Sequence, residues 1–218
     1  MNYIYYKSTI DKEELHRMNI VIDDGAIIAD GVKIYYGVCI LGNSIVDQGV
    51  EIGSNSVIEN SKIGIGVKIQ SSVIKDSVIK KSSCVGPFAH IRNITIVGES
   101  CRIGNFVEIK NATIGNGCKI AHLTYVGDAI IGVNCNLGCG VVFCNYNGEK
   151  KQFSTIGDNV FIGSNVNIIA PVNIADWAYI AAGSTINKDI DIDEFAIARA
   201  RQENKKNFNN PYKNSKKH

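Results

Sequence analysis

An all-β fold, a parallel β-helix, is predicted by three features of the 218-residue sequence. An aliphatic residue recurs every six positions over most of the chain, the phase slips occasionally to five, and glycine often follows the aliphatic position. The first run is Ile22, Ile28, Ile34, Ile40, Val46, Ile52 and Ile58. After a slip it resumes through Ile63 and Ile69, then Ile79, Val85, Ile91, Val97, Ile103 and Ile109, and further slips lead to Ile114, Ile120 and Val126, then Ile131, Leu137 and Phe143. Beyond an interruption it returns as Ile156, Ile162, Ile168, Ile174, Ile180, Ile186 and Ile192. A period of six suits neither an amphipathic helix nor a strand exposed on one face, and repeats of this kind mark a β-helix. Each hexad supplies one short strand and a turn, and three hexads make a triangular coil whose aliphatic side chains share one core. Nine or ten coils at about 4.8 Å would build a prism on the order of 45 Å long.

The elements follow in order. Residues 1–19 form an N-terminal segment in which 7–18 are expected as a short helix, with Ser8 or Thr9 as N-cap ahead of DKEELHRM. Residues 20–197 form the prism, interrupted by a protruding loop over 144–155, CNYNGEKKQFST. The tail, 198–218, is polar and basic and is expected to be partly disordered.

Composition narrows the function classes. With 45% hydrophobic and 20% charged residues the chain can bury a real core, and a formal charge of +2 gives no footprint for nucleic acid. The positive excess lies after Ile197, where seven Lys or Arg face only Glu203. The N-terminus lacks the basic start and apolar run of a secretion signal, and no stretch reaches the ~18 apolar residues of a membrane span. A cytoplasmic protein without membrane partners is expected. Seven cysteines, odd in number and without a CxxC pair, argue against a disulfide framework or a structural zinc site. Cys101, Cys118 and Cys135 are spaced by 17 residues, one coil, and read as a stack of buried thiols serving as compact hydrophobes.

The faces of a β-helix are flat, so chemistry must come from loops and from neighbouring subunits. The 144–155 loop carries Asn145, Tyr146, Lys150 and Lys151, and reads either as a solvated turn or as a flap over a neighbour's face. His16 and His218 lie outside the prism, whereas His90 and His122 fall on coils. Two are too few for a three-histidine zinc site. His122 has context, preceding LTYVGDA, one coil after VEIK and about one coil before NLGCG.

From about residue 20 to 202, the blocks VGPFAHIR, GNFVEIKN, AHLTYVGDA, NLGCGVVFCNYNG, IGDNVFIGSNVNIIAPV, YIAAGSTI and AIARARQ are similar to a known family. They resemble the acetyltransferase domain of the bacterial bifunctional enzyme that makes UDP-N-acetylglucosamine from glucosamine-1-phosphate. The resemblance implies a left-handed β-helix, acetyl transfer from acetyl-CoA to the amine of glucosamine-1-phosphate with no metal needed for that step, and a homotrimer with its sites between subunits. It implies His122 as general base, Glu108 as the group that orients and charges the imidazole, and Asn145 near the reacting amine together with Tyr146. Arg92 and Lys110 would grip the sugar phosphate, with Tyr125, Asn136 and Lys151 as further substrate contacts. Acetyl-CoA would lie against Ser164, Ala182 and the backbone of Cys139, where an amide would face the thioester oxyanion, with Arg199 on its phosphates.

The chain departs from the pattern in three ways. Nothing matches the glycine-rich LxxGxGTxM start of the uridyltransferase domain, so no UDP-sugar synthesis is expected, and a separate uridyltransferase is a candidate partner. Cys139 stands where that family often carries alanine, and the tail diverges after Gln202. Two other functions fit the same residues: acetylation of another amino sugar or a nucleotide-linked one, and a non-catalytic trimeric scaffold for that separate uridyltransferase.

Overall fold

The computed structural model describes residues 3–206. Apart from one short helix, its regular elements are all strands of two or three residues, with two of seven. One face is an eleven-stranded sheet whose neighbours pair in parallel except for the first, Tyr3–Tyr5, which leaves ten coils. The other two faces merge into a seventeen-stranded sheet, because Glu108–Ile114 and Tyr125–Ile131 run round the edge between them and pair along their length.

The core follows the six-residue ladder. On the first face Ile34, Ile52, Ile69, Val85, Ile103, Ile120, Leu137, Ile162 and Ile180 stand in register on successive coils, all buried. Branched side chains suit this pleated, two-sided packing, and burying each fully contributes about 1.5–3 kcal/mol. Ile74, inside a gap of the sequence ladder, completes it between Ile58 and Ile91. The cysteine stack forms as expected. Cys101, Cys118 and Cys135 are buried and donate from Sγ to the carbonyls of Gly115, Gly132 and Gly157 at 3.1, 3.0 and 3.0 Å. Stacked between the thiols of Cys101 and Cys135 and buried, the Cys118 thiol is pushed up, away from thiolate chemistry.

The ends of the prism correct the sequence reading. The helix is Lys12–Arg17 rather than 7–18, and its N-cap is Asp11, whose carboxylate accepts from the Glu13 amide at 3.1 Å. Ser8 and Thr9 do not cap it: Lys7 to Ile10 closes a separate turn, and the Ser8 amide donates to Asp30 at 2.8 Å. Tyr3–Tyr5 adds an antiparallel strand to Lys33–Tyr35, burying Ile4 and covering an edge that would otherwise lie open. At the far end the ladder steps from Ile186 to Ile190, not to Ile192. Ile190 is 5% exposed and bridges to Ile174, whereas Ile192 is 65% exposed. Backbone bonds decide between the two: Ile190 donates to Asn173 and accepts from Ala175, while Asp191 and Glu194 close a turn that turns Ile192 outward. Ile190→Ala is therefore expected to cost about 2 kcal/mol and Ile192→Ala no more than about 0.5, as read from urea unfolding midpoints.

Residues 198–206 form no helix or strand and are mostly exposed. The disorder expected of the tail falls largely on 207–218, outside the described residues. No helix among the described residues is long and apolar enough to cross a membrane.

Candidate functional site

Two rows of polar side chains lie on adjoining parts of the prism, one on a face and one on the edge that precedes it. The first row lies on the face built from Cys39–Leu41, Val57–Glu59, His90–Arg92 and the strands above them. Parallel register sets Arg92 beside Lys110 and Lys110 beside Gly127, with Glu108 beside Tyr125. Residues 16 to 18 apart in sequence thus become neighbours on adjacent coils. Arg92 reaches diagonally to Glu108, donating from Nε at 3.1 Å and Nη2 at 2.6 Å to the same carboxylate oxygen. Lys110 is buried, and its ammonium lies 3.4 Å from Asp128.

The second row climbs the edge that precedes this face. There His122 accepts the Gly140 amide on its carbonyl at 2.9 Å, Cys139 accepts that of Asn165 at 2.8 Å, and Ser164 accepts that of Gly183 at 2.8 Å. His122, Cys139, Ser164 and Ala182 are therefore consecutive steps of one column, spanning roughly 14 Å over three coils. Arg199 borders its upper end, with Cδ 3.9 Å from where a Cβ on Gly183 would stand. Packing up the column is close: a Cβ on Gly138 would lie 2.6 Å from the Ser164 nitrogen, and one on Gly163 would lie 2.5 Å from that of Ala182. Asn136 stands on the eleven-stranded face, just before the edge.

His122 and Leu123 both take left-handed backbone conformations, φ 66° and 54°, which are costly for such side chains. The result is an exposed imidazole at the edge, with Nδ1 2.5 Å from Oδ1 of Asn105, one coil below. The amide oxygen facing Nδ1 suits the tautomer in which Nδ1–H donates and Nε2 is the open nitrogen. Within the subunit Glu108 does not contact the imidazole as the resemblance implied. It projects from the flat face, where the guanidinium of Arg92 claims it.

The loop after Cys144 is a small hairpin held by a Tyr146–Lys151 bridge and by the Gln152 amide on the Asn145 carbonyl at 2.7 Å. Tyr146 is exposed, with its hydroxyl on the Gly148 carbonyl at 2.6 Å. Asn145, in contrast, is buried. Its amide nitrogen donates to Asp128 and lies 3.4 Å from the Tyr125 hydroxyl. Gly127 makes room for this, since a Cβ there would stand 2.4 Å from the Tyr125 hydroxyl and 2.7 Å from the Asn145 amide.

Three functional groups escaped the sequence reading: Asn105, Asn111 and Asp128. For Asn105 the signal was available, because it precedes His122 by one coil of 17. Asp128 accepts from Asn111 at 2.5 Å, from Asn145 and from Lys110. Burial alone would raise it, but the bonds from Asn111 and Asn145 and the Lys110 charge hold its carboxyl below the ordinary range. Lys110 is raised: where it and Lys151 compete for a proton, the Asp128 carboxylate 3.4 Å away holds that proton on Lys110, against burial. Lys151, which yields the proton, is lowered by the neighbouring Lys110 charge, with Arg92 adding to the effect. The cluster presents three cationic side chains, Arg92, Lys110 and Lys151, against two carboxylates, Glu108 and Asp128, an excess suited to an anionic ligand.

The chain has recognisable relatives. Residues 73–147 match the family described as GMPPB C-terminal domain, 153–188 match the bacterial transferase hexapeptide (six repeats), and 39–61 match the hexapeptide repeat of succinyl-transferase. The bifunctional protein GlmU of Clostridium botulinum strain Langeland is 49% identical over 187 residues, which cover 86% of this chain and 41% of that protein. GlmU of Synechococcus elongatus is 45% identical over 193 residues, 88% of this chain and 43% of its own length. The chain thus spans about four-tenths of the length of these curated relatives. In fold it resembles the UDP-N-acetylglucosamine acyltransferase of Campylobacter jejuni, with a TM-score of 0.51 at 23% identity over 79% of this chain and 67% of that one. The prism is a left-handed parallel β-helix, as the resemblance implied.

Proposed function

We propose that this chain, a homologue of the bifunctional GlmU proteins over 86% of its length, transfers an acetyl group from acetyl-CoA to the amine of glucosamine-1-phosphate. The observation that carries this reading is the edge column. An imidazole stands at its foot, small residues climb from Cys139 through Ser164 to Ala182, and the cationic row of Arg92, Lys110 and Lys151 lies on the face that follows it. That juxtaposition fits a thioester laid along the column and a phosphate held on the face, with the amine between them.

In the proposed reaction Nε2 of His122 takes a proton from the amine as nitrogen bonds to the thioester carbonyl carbon. The carbon–sulfur bond then breaks, and CoA leaves as its thiol, protonated by the imidazolium. Asn105 holds the tautomer, and Glu108 holds the Arg92 fork. Tyr125 and Asn145, joined by a 3.4 Å contact, border the amine with Tyr146. Asn136, across the edge, completes the sugar contacts. The Cys139 amide faces the developing oxyanion, and Arg199 meets the phosphates of CoA. Rate enhancement comes chiefly from holding amine and thioester in register and from that oxyanion contact. Because the rows lie on an open edge, we assign the missing wall of the site to a neighbouring subunit of a homotrimer. The described cysteines are all free, in keeping with a cytoplasmic setting.

Release of CoA thiol from acetyl-CoA, with the enzyme's own seven cysteines blanked, tests this with glucosamine-1-phosphate, glucosamine and UDP-glucosamine in parallel. The expected result is turnover confined to glucosamine-1-phosphate, since the cation cluster is built for a terminal phosphate. Turnover with another amine alone would replace the substrate, and none with any amine would leave a trimeric scaffold for a separate uridyltransferase as the better reading.

A further inference from the structure

We propose that Asp128 is a positioning residue, whose buried carboxylate sets both the Lys110 ammonium and the Asn145 carboxamide in place for the amino-sugar phosphate. The identity of that ligand rests on the function proposed above; the positioning does not.

Asp128 is 5% exposed and Lys110 7%. Replacing a buried ion pair by apolar groups is often neutral or stabilising, so stability alone is a weak reason to keep one. The position is also strained. Asp128 and Asn111 stand one coil apart where the two long strands round the edge, both in the left-handed region at φ 51° and 49°. That backbone turns the carboxylate toward Lys110, the residue whose neighbour in register is Gly127. One oxygen takes the Asn111 amide at 2.5 Å, and the other takes Asn145 and Lys110.

The groups facing this carboxylate explain why it matters. Lys110 is crowded by the ammonium of Lys151, and Arg92 adds a third positive charge nearby. Glu108 is engaged by Arg92. Asp128 is therefore the counter-charge that keeps Lys110 protonated and aimed against two cations. Through Asn145 the same carboxylate anchors the base of the hairpin that carries Tyr146 and Lys151. One buried anion thereby couples the phosphate grip to the position of the flap.

Asp128→Asn separates this role from a merely structural one. Titration of the Lys110 ammonium, followed by NMR of its Nζ in the ligand-free protein, is expected to fall from its raised position toward the ordinary lysine value of about 10.4. In kinetics the KM for glucosamine-1-phosphate should rise at least about tenfold, as for a lost charged hydrogen bond, while the KM for acetyl-CoA stays put. The defect should deepen as pH rises and Lys110 loses its proton. If Asp128→Asn does not fold, Asn111→Gly removes one donor at a site where glycine accepts the backbone, and the same KM should rise about two- to fivefold. An unchanged Lys110 titration in Asp128→Asn, or equal changes in both KM values in either variant, would overturn the proposal. Absence of turnover by the wild type would instead overturn the proposed function, and the Lys110 titration would still decide the role of Asp128.

Discussion

Replacing His122 by alanine is expected to lower acetyl transfer by about 10²- to 10⁴-fold, the usual contribution of a positioned general base. The attacking nitrogen must shed a proton as it bonds to the thioester carbon, or the adduct falls back to free amine. At the foot of the edge column the Nε2 of His122 is free for that proton, because Asn105 holds Nδ1 at 2.5 Å. The imidazole is exposed, so its removal should leave the thermal midpoint near the wild-type value. The backbone at this position is left-handed, φ 66°. Asparagine tolerates that region better than alanine and offers no base, so His122→Asn should fold as well and lose as much activity. Asn105→Ala tests the other half of the argument. It leaves the base but frees the tautomer, and a smaller loss of about tenfold is expected, comparable to one hydrogen bond. Thiol release measured side by side for the three variants decides the matter, and near wild-type rates in His122→Asn would remove the imidazole from the chemistry.

Phe143→Ala is expected to destabilise the protein by about 3–5 kcal/mol, the range for a large aromatic removed from a packed core. Phe143 is 1% exposed and heads the largest fully buried side chains of a stack otherwise made of isoleucine, valine and leucine. It sits on the strand Val142–Cys144, and the Asn145 amide returns to its carbonyl at 2.9 Å. The loss would therefore fall at the root of the hairpin as well as in the core. A β-helix is close to one-dimensional, each coil packing only on its neighbours, so a cavity in one layer weakens the coupling of the coils on either side. The single tryptophan, Trp177, reports on the C-terminal coils, while circular dichroism reports on all strands. In urea the wild type should show coincident transitions by the two probes. In Phe143→Ala the midpoint should fall, and the tryptophan transition should separate from the circular dichroism one. A loss below about 1 kcal/mol would be too small for a fully buried aromatic.

The fold was legible because the six-residue period is a local property. An aliphatic side chain every hexad needs only an inward-facing strand position, and Ile34, Ile52 and Ile69 occupy theirs whatever the distant chain does. The cysteine stack was legible for the same reason, since a spacing of 17 residues is one coil. The misreadings fall where the repeat ends. Ile190 and Ile192 have the same local credentials, and only the backbone bonds to Asn173 and Ala175 select the first. Tyr3–Tyr5 is too short to declare itself until Lys33–Tyr35 offers it an edge. Helix 12–17 begins at Asp11 because Lys7 to Ile10 closes a turn of its own and Ser8 bonds to Asp30.

The site divides along a similar line. By itself the sequence determined the coil to which His122, Arg92, Glu108 and Lys110 belong, because the repeat counts coils and identifies the outward positions on each. Which side chains pair across coils was decided only by the tertiary structure. Successive turns differ by 16, 17, 18 or 25 residues, so a slip anywhere below changes every neighbour above, and a long side chain such as Arg92 can reach along the diagonal. That is why Asn105, and not Glu108, meets the imidazole, and why Asp128, unremarkable within VGDA, becomes the buried anion at which Lys110, Asn111 and Asn145 converge.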